Sequence, residues 1–176
     1  MSETQPIRLA DLDFIPYLTD AGELSYTLAD QIGVYAIFDA DRTLQFVGYS
    51  RNVALSLVQH IVRQPQQCYW VKVQCIDRPS RSILEDIRQA WLAEVPNSPA
   101  HTASDRWTQP IDAAAQMTPE EQQALAKGDG GDRPRLLKQV ARRVEQEVLA
   151  QLAERGVTAS LRFNPKLKEE GLLDLK

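Results

Sequence analysis

Arg51, Asn52, Ser56, Gln59, His60 and Arg63 recur at spacings that bring them to one side of a helix. Placed above the strands that precede them, they would form a polar surface able to bind a ligand, or a solvated helix face. Tyr35 and Phe46 lie in the stretch GVYAIFDADRTLQFVGYS, from Gly33 to Ser50, just before that helix. Read from the residues alone, Tyr35 is a half-buried sheet tyrosine and Phe46 is core or a pocket wall. Further on, Arg88 could take a phosphate or a partner's carboxylate, or pair with Glu85 at helical spacing.

The elements that must carry these residues follow from periodicity. In the first strand Val34, Ala36 and Phe38 share one face, and Tyr35 and Ile37 the other. Asp39 to Arg42 supplies turn chemistry, and Leu44 to Val47 makes the return strand. Ser50 is read as the N-cap of a helix over 51–63, with Val53, Ala54, Leu57, Val58 and Ile61 toward the sheet. Tyr69 to Ile76 alternates as a third strand, and a second helix runs to about Glu94 with Trp91 on its apolar stripe. Residues 96–117 read as a long loop anchored by Trp107. Thr118-Pro119-Glu120-Glu121 starts a short helix, Pro134 to Gly156 is the longest helix, and Ala159 to Phe163 suggests a late strand. The expected fold is α/β, of α+β type: a small three-stranded sheet flanked by helices, with a mainly helical C-terminal extension. Three segments follow: an arm over 1–30, a domain over 31–95, and a loop with helices packed on it over 96–176.

Composition narrows the classes. The chain has 176 residues, 43% hydrophobic and 25% charged, enough for one core with an extension. A net charge of −4 argues against broad nucleic-acid binding. The charge is uneven: Arg133, Arg135, Lys138, Arg142 and Arg143 form a basic run without an acid, while the arm is acidic. The two cysteines, Cys68 and Cys75, and the two histidines, His60 and His101, make no zinc pattern, and both thiols read as buried apolar fillers. No apolar run approaches a membrane span, and the N-terminal MSETQPIRLADLDF has no secretory features, so a cytoplasmic protein without a membrane partner is expected.

The order strand, turn, strand, helix, strand, helix, with GVY at 33–35 and FVG at 46–48, resembles the GIY-YIG family of homing endonucleases and excinuclease C subunits. The resemblance covers about Ile32 to Val95. It implies one divalent metal, a tyrosine acting on water, an arginine on the phosphate and a glutamate on the metal. Tyr35 matches the first tyrosine, but Phe46 replaces the second. Arg51 fits a basic position, Ser56 stands where the phosphate arginine falls, and His60 lies one turn on. Arg88 stands at the metal glutamate's position, and a shift of one turn offers Glu85 instead. The implied active site is therefore degenerate, with Tyr35, Arg51 and His60 vestigial and Phe46, Asn52, Ser56 and Arg88 as binding residues.

The resulting expectation is a non-catalytic, nuclease-like module without a cofactor, binding DNA, RNA or a protein. The alternatives are an endonuclease using Mg2+ or Mn2+ on Glu85, and a structural subunit of a larger assembly.

Overall fold

The computed structural model describes residues 4–24, 28–102, 105–128 and 130–176. Glu3 of the acidic arm and Asp129, which follows the short helix begun at Thr118, lie outside them. The chain is α+β and forms two compact units, Met1–Trp107 and Thr108–Lys176.

In the first unit, β2 (Ile32–Phe38) and β3 (Leu44–Ser50) form an antiparallel hairpin, and β4 (Trp70–Ile76) pairs antiparallel with the other edge of β2. The expectation of three strands needs correction: β1 (Ile15–Pro16) adds a fourth beside β4, giving the order β1-β4-β2-β3. A two-residue strand containing proline is too short to show period-2 alternation. Proline is tolerated there because the strand lies at an edge.

Helix α1 (Val53–Arg63) and helix α2 (Arg81–Glu94) cover opposite faces of this sheet. Val34, Ala36, Phe38, Leu44 and Val47 point to the α2 face and join Leu84, Ile87, Trp91 and Leu92 in one buried cluster. Tyr35, Ile37 and Phe46 alternate to the α1 face, as strand parity requires. Asn52 caps α1, its side chain accepting from the Leu55 amide, while Ser50 bonds the backbone of Asn52. Ser50 still belongs to β3, so the helix begins two residues later than expected.

Gly33 is needed for packing. A Cβ there would sit 2.6 Å from the Gln74 carbonyl oxygen and 3.1 Å from the Cys75 Cα. Both are backbone atoms of β4, directly opposite, and neither can rotate away. Gly33→Ala is expected to cost about 2 kcal/mol by forcing β2 and β4 apart. Urea denaturation of wild type and variant measures it.

The second unit is built on α4 (Pro119–Lys127) and α5 (Arg133–Glu154), following α3 (Asp105–Thr108), which spans the unit boundary. Thr118 and Glu121 cap α4 reciprocally, and Arg143 of α5 holds Glu121 at 2.8 Å and Glu147 at 2.6 Å. Leu137, Val140, Ala141, Val144, Val148 and Leu152 form the buried stripe of α5. The late strand expected over 159–163 is absent: Phe163 makes a single bridge to Leu175. Pairing occurs instead between β5 (Ile111–Asp112) and β6 (Leu172–Leu173), which follows α6 (Pro165–Lys168). Alternation over five residues without a neighbouring strand to bond is not enough to make a ladder. Among the described residues no helix is long and apolar enough to cross a membrane.

Candidate functional site

On the α1 face, the Tyr35 hydroxyl lies 2.8 Å from His60 Nε2, and the Ser56 side chain bonds the same hydroxyl. Around this pair lie three further groups. Phe46 packs on His60 with ring centroids 4.8 Å apart. Trp107 stacks on Phe46 at 5.2 Å with the rings 7° from parallel. Arg63 donates from Nη1 to the Trp107 carbonyl at 2.9 Å. Trp107 is thus the cover of a buried cluster, but it sits on α3, and the stretch 96–117 expected as one long loop carries short helical turns and β5. Elsewhere on α1, the buried Tyr17 hydroxyl donates to the Leu57 carbonyl.

Gly48 makes the cluster possible. A Cβ on it would meet Phe46 Cε1 at 2.7 Å and the Tyr35 hydroxyl at 2.8 Å. The glycines of GVY and FVG therefore have packing reasons of their own: one admits β4, the other admits the Tyr35 ring. Gly48→Ala is expected to displace the Tyr35 ring and destabilise the fold by about 1–3 kcal/mol. Thermal melting, and the Tyr35–His60 contact in the variant's NMR spectra, check it.

Burial sets the electrostatics of this pair. Desolvation pushes the Tyr35 phenol well above its ordinary range, against smaller opposing pulls from the Ser56 bond and the Arg63 charge. Burial likewise lowers His60 to about 4, helped by the nearby Arg63 charge and opposed by the Trp107 backbone. His60 is 5% exposed, and its Nδ1 has no well-formed hydrogen bond among the described residues. At neutral pH the phenol keeps its proton and the imidazole is neutral. A base so weakly basic and so enclosed is poorly suited to proton abstraction near pH 7.

The remaining sequence-predicted residues lie apart from this pair. Asn52 is committed to its cap and to a 3.3 Å contact with Asp30. Arg51 is exposed and lines a cleft of about 280 Å³ with Tyr49, Ser50, Pro79, Ser80, Arg81 and Leu84. Glu85 and Arg88 sit on α2, on the opposite side of the sheet from Tyr35. Arg88 donates to the Val47 carbonyl at 3.2 Å and to Glu85 at 3.1 Å, and Glu85 also takes the Gln89 amide at 2.8 Å. The Gln89 bond and the Arg88 charge hold the Glu85 carboxyl below its usual range. The sheet itself separates Glu85 from Tyr35 and His60, so these three do not converge on one ion. Among the described residues no three His, Cys, Asp or Glu side chains gather as a metal cluster would require.

Of the polar surface expected from Arg51, Asn52, Ser56, Gln59, His60 and Arg63, His60 is buried, Arg51 is exposed and the other four are half-buried. His60 is three residues past Leu57 and seven past Val53, and those two positions already mark the apolar stripe. That spacing was the available signal for its burial. Cys75 departs from expectation in the other direction. It is exposed, while Cys68 is buried, and partial burial raises the Cys75 thiol above its ordinary value. Strand parity assigns Cys75 a face but does not say whether anything covers it.

No family model matches the chain. A curated protein of Arabidopsis thaliana, the bifunctional monothiol glutaredoxin-S16, chloroplastic, is 40% identical over 81 residues, spanning 44% of this chain and 28% of that protein. The chain thus covers less than a third of the length of the curated relative it matches. These findings correct the GIY-YIG identification and the nuclease-like, nucleic-acid-binding function drawn from it, together with the alternatives attached to that function. The similarity found is to a protein named for glutaredoxin chemistry. The geometry agrees with the correction at the level of residues: Phe46 has no hydroxyl, Arg88 is anchored to β3, and Glu85 is across the sheet.

Proposed function

We propose that the chain is a non-catalytic partner module of thiol-redox machinery, binding a thiol-carrying protein rather than supplying the reactive thiol. The similarity to part of a bifunctional monothiol glutaredoxin supports the redox setting. The observation that carries the non-catalytic half is the state of this chain's own thiols. A redox-active cysteine needs a lowered pKa and access to its substrate. Cys68 is buried, and Cys75 is exposed but shifted upward, with desolvation as its cause. The Tyr35–His60 pair adds no alternative nucleophile, because both groups are held uncharged behind Trp107.

In this reading the α1 cluster is a rigid support for the first unit, and the protein partner docks on its surface. The module needs no bound metal or organic cofactor for that role. Cytoplasmic placement is part of the proposal, and the relative's own name carries a chloroplastic address.

Isothermal titration of the full chain with a monothiol glutaredoxin tests the proposal. Saturable binding that is unchanged in Cys75→Ser is expected. Absence of binding, or binding that depends on the Cys75 thiol, would overturn it.

A further inference from the structure

Three stretches of the first unit meet at one cleft. They are the end of β3 with Tyr49 and Ser50, the link to α1 with Arg51, and the start of α2 with Ser80 and Arg81. The cleft holds about 280 Å³. At about 30 Å³ for a water-sized group, that is room for on the order of ten non-hydrogen atoms, the size of a small molecule. Leu84, 4% exposed and one turn along α2 from Arg81, gives the lining an apolar patch, and Pro79 adds to it.

Most polar groups of this lining are already committed. The Tyr49 hydroxyl donates to Glu85. Ser50 donates to the Asn52 carbonyl at 2.9 Å and accepts the Asn52 amide at 3.0 Å. Ser80 accepts from the Ile83 amide at 3.4 Å and meets the Ser82 hydroxyl at 3.2 Å. The guanidinium groups of Arg51 and Arg81 differ. Among the described residues neither has a hydrogen-bond or ion-pair partner, whereas Arg88 and Arg143 hold carboxylates at 3.1 Å and 2.8 Å. No Asp or Glu among the described residues lines the cleft. Glu85, which reaches it through Tyr49, is itself held by Arg88 and Gln89.

Two cations facing one cleft without a counter-charge concentrate positive potential there and raise the local concentration of anions. A guanidinium is planar, always charged, and forks onto carboxylate or phosphate oxygens with paired bonds. We propose that this cleft binds a small organic dianion, a phosphate monoester or a dicarboxylate, that carries an apolar body. Arg51 and Arg81 take the anionic oxygens, and Leu84 and Pro79 take the apolar body. Both ligand chemistries offer what the lining reads, doubly charged oxygen beside apolar surface. The site does not depend on the thiol-redox reading, because neither cysteine lines it.

Phenyl phosphate and phthalate are the probes, titrated against the full chain at physiological salt with the backbone amides followed by NMR. Inorganic phosphate is the control without an apolar body, and benzyl alcohol the control without charge. At least one probe is expected to shift the amides of Arg51, Arg81 and Leu84 saturably. It should bind at least about fivefold more tightly than inorganic phosphate, because the ring buries apolar surface. Benzyl alcohol should leave those amides unmoved. Arg51→Gln and Arg81→Gln are each expected to keep the wild-type Tm and weaken binding about tenfold, the loss of one charged hydrogen-bonding group. Tighter binding of phenyl phosphate assigns a phosphate monoester, and tighter binding of phthalate assigns a dicarboxylate. The inference is overturned by no saturable shift with either probe, by binding indifferent to either substitution, or by inorganic phosphate or benzyl alcohol binding as tightly as the probes.

Discussion

Trp91→Ala is expected to be the most damaging single substitution in the first unit, costing about 4 kcal/mol. Trp91 is fully buried, sits among Val34, Ala36, Ile87 and Leu92, and donates its indole N–H to the Ile7 carbonyl at 2.8 Å. Truncation leaves a cavity under α2 and also releases the arm. Domains of this size have on the order of 5–15 kcal/mol in total, so a large part of the margin disappears. Trp91→Phe separates the two contributions. It keeps most of the apolar bulk and loses only the bond to the arm, with an expected cost of about 1–2 kcal/mol. Chemical denaturation gives both values. A cost below 1 kcal/mol for Trp91→Ala would mean that α2 does not hold the sheet in the way described.

Acid is expected to destabilise the first unit through His60. The imidazole titrates at about 4 in the folded chain, against 6.5 for an ordinary histidine. Above pH 6.5 both folded and unfolded states carry it neutral, so it imposes no pH dependence there. As pH falls below 6.5 the unfolded chain takes up a proton that the folded chain refuses, and stability drops until the folded group titrates near 4. The loss over that window is about 3 kcal/mol, from roughly 1.4 kcal/mol for each pKa unit. Denaturation midpoints measured between pH 7 and pH 4 should show this fall. Much of it should vanish in His60→Gln, which cannot charge. An unchanged slope in that variant would locate the acid sensitivity elsewhere.

Much of the hairpin and its helices was legible because their signals are local. Alternation of Val34, Tyr35, Ala36 and Ile37 sets the faces, and the apolar spacing of α1 and α2 sets their inner sides. What the sequence hides is contact between distant segments. Glu94 meeting the amides of Leu9 and Ala10, or Lys72 reaching the Leu9 carbonyl, leaves no periodic trace. The two-residue β1 is invisible for the same reason: only its partner β4 makes it a strand.

The candidate site met a related limit. Tyr35 and His60 come within 2.8 Å of one another, but the sheet divides them from Glu85 on α2. Side-chain parity in β2 and the stripes of α1 and α2 contain that division, provided the two helices are assigned to opposite faces. Motif likeness drew attention to the triplets GVY and FVG. Their glycines are explained by the space that Gln74, Phe46 and Tyr35 occupy, a constraint of packing that does not depend on any reaction.

The central claim is that this chain works beside a thiol and does not provide one. The rate of Cys75 alkylation by iodoacetamide as a function of pH tests it most directly, with Cys75→Ser as the blank. The account predicts a midpoint above that of a free cysteine, about 8.5, and slow modification at pH 7. A midpoint at or below 7, with fast modification at neutral pH, would show a thiolate poised for exchange and would contradict it.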